Sequence, residues 1–181
     1  MNADTATQLV LVLLGAALAF SVIGWVPHGR AIGPPLALSA LAAAAVLAGV
    51  SAELSWSRWA TTILVALGGL LAVAGGGPLT TRIFAIVDRT DQGRQTLDQA
   101  GQVLRGGAWI GGLERLAVFA SLAAGSPEGV AVVVALKSVG RFPDLRADDG
   151  NGAATERFII GTLASVLWAA ACAGMVLLVR L

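Results

Sequence analysis

The sequence has no tyrosine, one cysteine and one histidine, and only 13% of its 181 residues are charged. A single cysteine cannot close an intrachain disulfide, so no covalent staple is available. Nor do one histidine and one cysteine supply the clustered ligands of a zinc site, and neither metal nor cofactor is expected. Cys172 sits among Ala, Gly and Met and reads as a buried small hydrophobe rather than a reactive thiol. The formal net charge of +1 excludes a strongly basic nucleic-acid binder. The chain shows neither a Walker loop nor a G-x-S-x-G elbow. Residues 1–8, MNADTATQ, carry no Lys or Arg. A cleaved signal peptide needs a positive leading region, so the first apolar run is expected to remain as a span.

Hydrophobic residues make up 56% of the chain, and the mean hydropathy is +0.80. Soluble domains carry about 25% charged residues, and a fold of this size cannot hide so much apolar surface. The expectation is an all-α fold, a polytopic transmembrane helix bundle of about six spans. Six apolar stretches can be placed: Ala6 to Val26, Pro34 to Glu53, Trp59 to Gly75, Trp109 to Gly125, Ser126 to Gly140 and Glu156 to Leu178. The longer ones approach the roughly 20 residues a bilayer crossing needs. They run continuously in Ala, Leu and Gly, whereas barrel strands alternate.

Two places break the pattern. Gly75-Gly76-Gly77-Pro78 interrupts a run that continues to Val87. Glycines and proline favour a break or kink, so the third span is expected to end or bend there. Residues 80–107 then form a polar, partly helical cytoplasmic segment between the three spans of 1–79 and those of 108–181, all within one membrane domain. The fifth stretch is short. Ser126-Pro127-Glu128 is a helix start, with a Ser cap, Pro at the first position and an acid in the first turn. From there to Gly140 is about 22 Å at 1.5 Å per residue, less than the roughly 30 Å core.

Charge placement sets the expected orientation. If all six stretches cross, one side receives His28, Arg30, Arg82, Arg89, Arg94, Arg105, Lys137, Arg141, Arg146 and Arg157. The other keeps Arg58 and Arg180. The positive-inside rule then puts both termini outside a bacterial inner membrane. Trp56 and Trp59 at one face, with Trp25 and Trp109 at the other, suit interfacial belts.

That orientation gathers Glu114, Arg115, Lys137, Ser138, Arg141, Glu156 and Arg157 near the cytoplasmic leaflet. Gly107, Gly111, Glu114, Val118 and Ser121 fall on one stripe of the fourth helix. A small-residue stripe is where membrane helices pack closely, so Glu114 is expected to face the bundle and Arg115 to reach toward headgroups. Arg157, Gly161, Ser165, Trp168 and Cys172 form a matching stripe on the sixth. One reading is an anion pocket in which Arg105, Arg115, Lys137, Arg141 and Arg157 hold a phosphate or phospholipid headgroup. The other is a Glu114 pair with Lys137 or Arg157 that joins helices. His28 reads as a lone interfacial histidine. Asp88, Asp91 and Asp98 lie in DRTDQGRQTLD, which lacks the Gly directly after the second Asp and the later A-R of the D-x-x-D-G-x-x-A-R phosphotransfer pattern, and reads as a solvated loop.

Three segments carry a resemblance: I-G-G-L-E-R (Ile110 to Arg115), A-L-K-S-V-G-R-F (Ala135 to Phe142) and E-R-F-I-I-G-T-L-A-S (Glu156 to Ser165). Their order resembles that of a family of uncharacterised bacterial multi-pass membrane proteins with I-G-x-L-E-R, A-x-K-S-x-x-R-F and E-x-x-x-I-G-T-L-x-S. The similarity covers roughly residues 97–165, and Arg157 stands where that pattern has an aromatic. The resemblance implies that Glu114, Arg115, Lys137, Ser138, Arg141, Glu156, Gly161 and Thr162 form the family's shared feature. It implies no activity. The expected function is a small transporter or lipid-handling protein with an anionic lipid partner. The alternatives are a scaffold or accessory subunit, binding its own copy or another membrane protein through Gly-rich faces, and a membrane-embedded enzyme on a phospholipid or polyprenyl phosphate.

Overall fold

The computed structural model describes residues 3–51, 56–87, 107–146 and 153–180, and the secondary structure there is helical throughout. The helices are α1 (Ala3–Ile23), α2 (Gly33–Val50), α3 (Arg58–Val87), α4 (Gly107–Ala123), α5 (Glu128–Arg146) and α6 (Ala153–Arg180), with a 3-10 turn at Pro27–Gly29. By length and composition, α1, α2, α3 and α6 can each cross a membrane. α4, with 17 residues, and α5, which carries more charge, are weaker candidates. Large apolar side chains point outward around the bundle. Val12, Val46, Leu70, Leu136 and Leu167 are each 58% to 68% exposed. A water-soluble monomer does not expose apolar residues on so many faces, whereas a lipid-facing bundle does.

The core is built from small residues. Val10, Leu14 and Ala17 of α1 meet Ala37, Leu41, Ala44 and Ala48 of α2, at the three- and four-residue spacing of one helix face. On the other side, Leu64, Leu71 and Ala72 of α3 pack with Trp168, Ala169, Cys172 and Val176 of α6. Cys172 is fully buried there, as its apolar neighbours in the sequence suggest. α4 rests on α3 and α6 through Val118 and Phe119, the latter lying over Gly68 and Gly69 of α3. α5 is peripheral. It touches α4 and only lightly α6, and no residue of its first fourteen, 128–141, is buried.

α4 and α5 form an antiparallel hairpin whose turn is set locally. The Ser126 N–H donates to Ser121 O at 2.8 Å and the Gly125 N–H to Leu122 O at 3.0 Å. This pair of bonds closes a Schellman motif, and Gly125, at φ 76, occupies the left-handed position that favours glycine. Pro127 and Glu128 then start α5, and the Ser126 hydroxyl donates to the Glu128 carboxylate at 3.3 Å. α5 does not stop near Gly140. It runs 19 residues to Arg146, about 28 Å, so the hairpin's second arm is close to membrane thickness.

The expected end of the third stretch at the glycines is not observed: α3 continues unbroken for 30 residues through Pro78. The residues of the polar segment up to Val87 therefore belong to α3, and 88–106, with Asp88, Asp91, Asp98 and Arg105, lie outside the described residues. Proline removes the N–H that would bond the carbonyl of Ala74. Here the indole N–H of Trp25 donates to Ala74 O instead, at 2.9 Å. One turn earlier, the Trp168 indole donates to Leu71 O at 3.0 Å. The glycines give these rings room. A Cβ on Gly77 would lie 2.9 Å from the Trp25 ring, and one on Gly75 would run into Trp168. GGGP is thus where the end of α1, α4 and α6 all close on α3. A side-chain donor replaces the backbone donor that proline removes.

Candidate functional site

Arg115 completes that junction. Its Nε and Nη2 donate to the carbonyl of Val73 at 3.2 Å and 2.9 Å, and its stem lies over Gly76, where a Cβ would collide with it. It is 6% exposed. The expected outward reach toward headgroups is therefore corrected: Arg115 points into the bundle, about 12 Å along α4 from Gly107. The reason is geometric. Gly76 leaves a slot long enough for the Arg stem, and the Val73 carbonyl accepts both arms of one edge of the guanidinium fork. Arg at mid-helix costs about 2.5–3.5 kcal/mol on insertion scales, so its hydrogen bonds must offset most of that.

The face of α4 is rotated accordingly. Its buried positions are Arg115, Val118 and Phe119. Gly107, Gly111 and Glu114 instead border α5. Glu114 forms a salt bridge with Lys137 of α5, the side chains 19% and 22% exposed. The helix-joining pair anticipated for Glu114 is therefore present, with Lys137 as the partner. Ser138 turns its hydroxyl back to Val134 O at 2.8 Å, the usual way a helical serine satisfies itself in apolar surroundings. Arg141, one turn beyond Lys137, is on the same side of α5.

Two spaces meet at this ion pair. Outside it is a groove of about 580 Å³ between α4 and α5. Ile110, Leu113, Ala117 and Leu136 give it apolar walls, and Glu114, Lys137 and Arg141 give it a charged border. Between Gly107 and Ala117 it extends about 15 Å along α4. Inside the pair is a void of about 10 Å³, bordered by Arg115, Thr162, Ser165 and four valines as well as by Glu114 and Lys137.

The seven residues expected to form one site are thus divided. Glu114, Lys137 and Arg141 share the groove, while Arg115 lies behind them. Ser138 bonds its own helix. Glu156 is exposed and Arg157 half-buried in the early turns of α6, and neither borders the groove or the void. His28 is exposed in the 3-10 turn. Sequence reasoning missed the part played by Gly76 and Val73. The available signal was three consecutive glycines inside an apolar run, which in a membrane helix mark close approach as readily as a break. Comparison with protein-family models, with curated proteins and with solved structures found no match for this chain.

Proposed function

We propose that this chain is an integral membrane protein of six spans that holds an anionic lipid in the groove between α4 and α5. The phosphate sits against Lys137 and Arg141, and an acyl chain lies along Ile110, Leu113 and Leu136. One observation carries the reading: an apolar groove of about 580 Å³ on a helix hairpin ends at two cationic side chains. A lipid offers that pairing of charge and hydrocarbon in one molecule. Glu114 holds Lys137 at the groove's border and keeps its charge from being buried alone. The excess of Lys and Arg on one set of loops supports a cytoplasmic-leaflet site in a bacterial inner membrane, with both termini on the opposite side. The chain then works as a lipid-handling protein or small transporter.

Native mass spectrometry of the protein released from its own membrane tests this reading. Bound anionic phospholipid should be retained by the wild type. It should fall several-fold in Leu136→Trp, a substitution at a 68% exposed position that fills the groove without disturbing the core. Equal retention by wild type and variant, or no anionic lipid on either, contradicts the proposal.

A further inference from the structure

We infer that the void behind the ion pair is a hydration site, binding a single water that ties α6 to the Glu114–Lys137 pair. Thr162 borders this void and is 8% exposed, and its Oγ1 is buried without a hydrogen-bond partner among the described residues. A hydroxyl so placed normally finds a partner, since leaving it unmade is unfavourable in a medium with no water to compete. The void's roughly 10 Å³ matches the space one water needs. Its border is mixed: Glu114, Lys137, Arg115, Thr162 and Ser165 bring polar groups to it, and valines of α4, α5 and α6 supply the rest. A buried water needs two to four polar partners. This set includes an accepting carboxylate, a donating ammonium and hydroxyls that both give and take.

The neighbouring charges favour water over an ion. Lys137 and Arg115 oppose a bound metal cation, and the space is too small for chloride. A dipole can turn its oxygen to the cations and a hydrogen to the carboxylate. The consequence is mechanical. α5 barely touches α6, so a water bridging Thr162 to the Glu114–Lys137 pair gives the peripheral helix a second anchor. It also lets the pair stay charged on its inner side without bulk solvent. The site stands independently of any lipid in the outer groove.

Thr162→Val and Thr162→Ser decide the matter, compared by thermal unfolding in one detergent. Valine keeps the shape and loses the hydroxyl. If a water bridges Thr162, valine should lower the midpoint by about 2–4 °C and serine should keep most of the wild-type value. If the hydroxyl has no water, removing it relieves a buried polar atom. A valine midpoint at or above that of the wild type therefore overturns the inference. A second measurement on the unmodified protein does not depend on variant folding. In bilayer-embedded protein with labelled methyl groups, solid-state NMR should show magnetisation passing from water to the Thr162 methyl. Transfer no greater than to the lipid-facing Leu163 methyls also overturns it.

Discussion

Trp25→Phe is the sharpest probe of how α3 tolerates a proline in its middle. The indole N–H donates to Ala74 O at 2.9 Å, and Pro78 is the residue that would otherwise have supplied the donor. Phenylalanine keeps most of the ring over Gly77 and removes only the donor and some area. An ordinary hydrogen bond contributes about 0.5–1.5 kcal/mol net, and interhelical ones in membranes average about 0.6 kcal/mol. The Ala74 carbonyl has no backbone N–H four residues on to fall back upon, which puts the loss toward the top of that range, about 1–1.5 kcal/mol. Pro78→Ala restores that N–H. In its background the same Trp25→Phe change should cost only the lost ring area, so the cycle should show coupling of about 1 kcal/mol. Reversible unfolding in mixed micelles, read by helical circular dichroism on the four proteins, measures it. Equal effects of Trp25→Phe in both backgrounds would refute the account of Trp25 as a substitute donor.

Other substitutions test neighbouring parts. Gly76→Ala places a Cβ against the Arg115 stem and should cost about 1–3 kcal/mol, as overpacking does. Most of that cost should vanish beside Arg115→Ala, and an unchanged cost would mean that some other contact is responsible. Glu114→Gln and Lys137→Met should each destabilise by leaving a charge unpaired, and should be milder together than the sum of the two. Additive losses in the same unfolding assay would argue against a direct pair. For orientation, single cysteines at Ser57 and Asp148, in a Cys172→Ala background, should label from outside and inside respectively in intact cells. The reverse pattern would overturn the proposed sidedness.

Composition and periodicity made the helices legible, because a lipid-facing bundle writes its solvent into most of its outward positions. Val12, Val46 and Leu167 sit on helices that the apolar runs located to within a few residues; the ends of α3 and α5 were the exceptions. The α4–α5 turn was legible too, since Ser126, Pro127 and Glu128 act on groups within a few residues of themselves. The continuation through Pro78 was not. Its cause is an indole 49 residues from its acceptor, and local rules see only the missing N–H. The partition of Glu114 and Arg115 failed for a related reason. Both lie within one turn of α4, and which one turns inward depends on a slot over Gly76 that belongs to another helix. Of the two expected partners, Lys137 and Arg157, it is Lys137 that pairs, because the α4–α5 hairpin brings it to the depth of Glu114. The groove itself is a space between side chains, and sequence records only the residues that border it.

Photo-crosslinking with a diazirine-tagged anionic phospholipid in bilayers, mapped by peptide mass spectrometry, tests the central claim most directly. The account predicts adducts concentrated on the groove faces of α4 and α5, around Ile110 to Ala117 and Val133 to Arg141, competed by unlabelled anionic lipid but not by zwitterionic lipid. Adducts spread evenly over the outward faces of α1, α2 and α6 would contradict it.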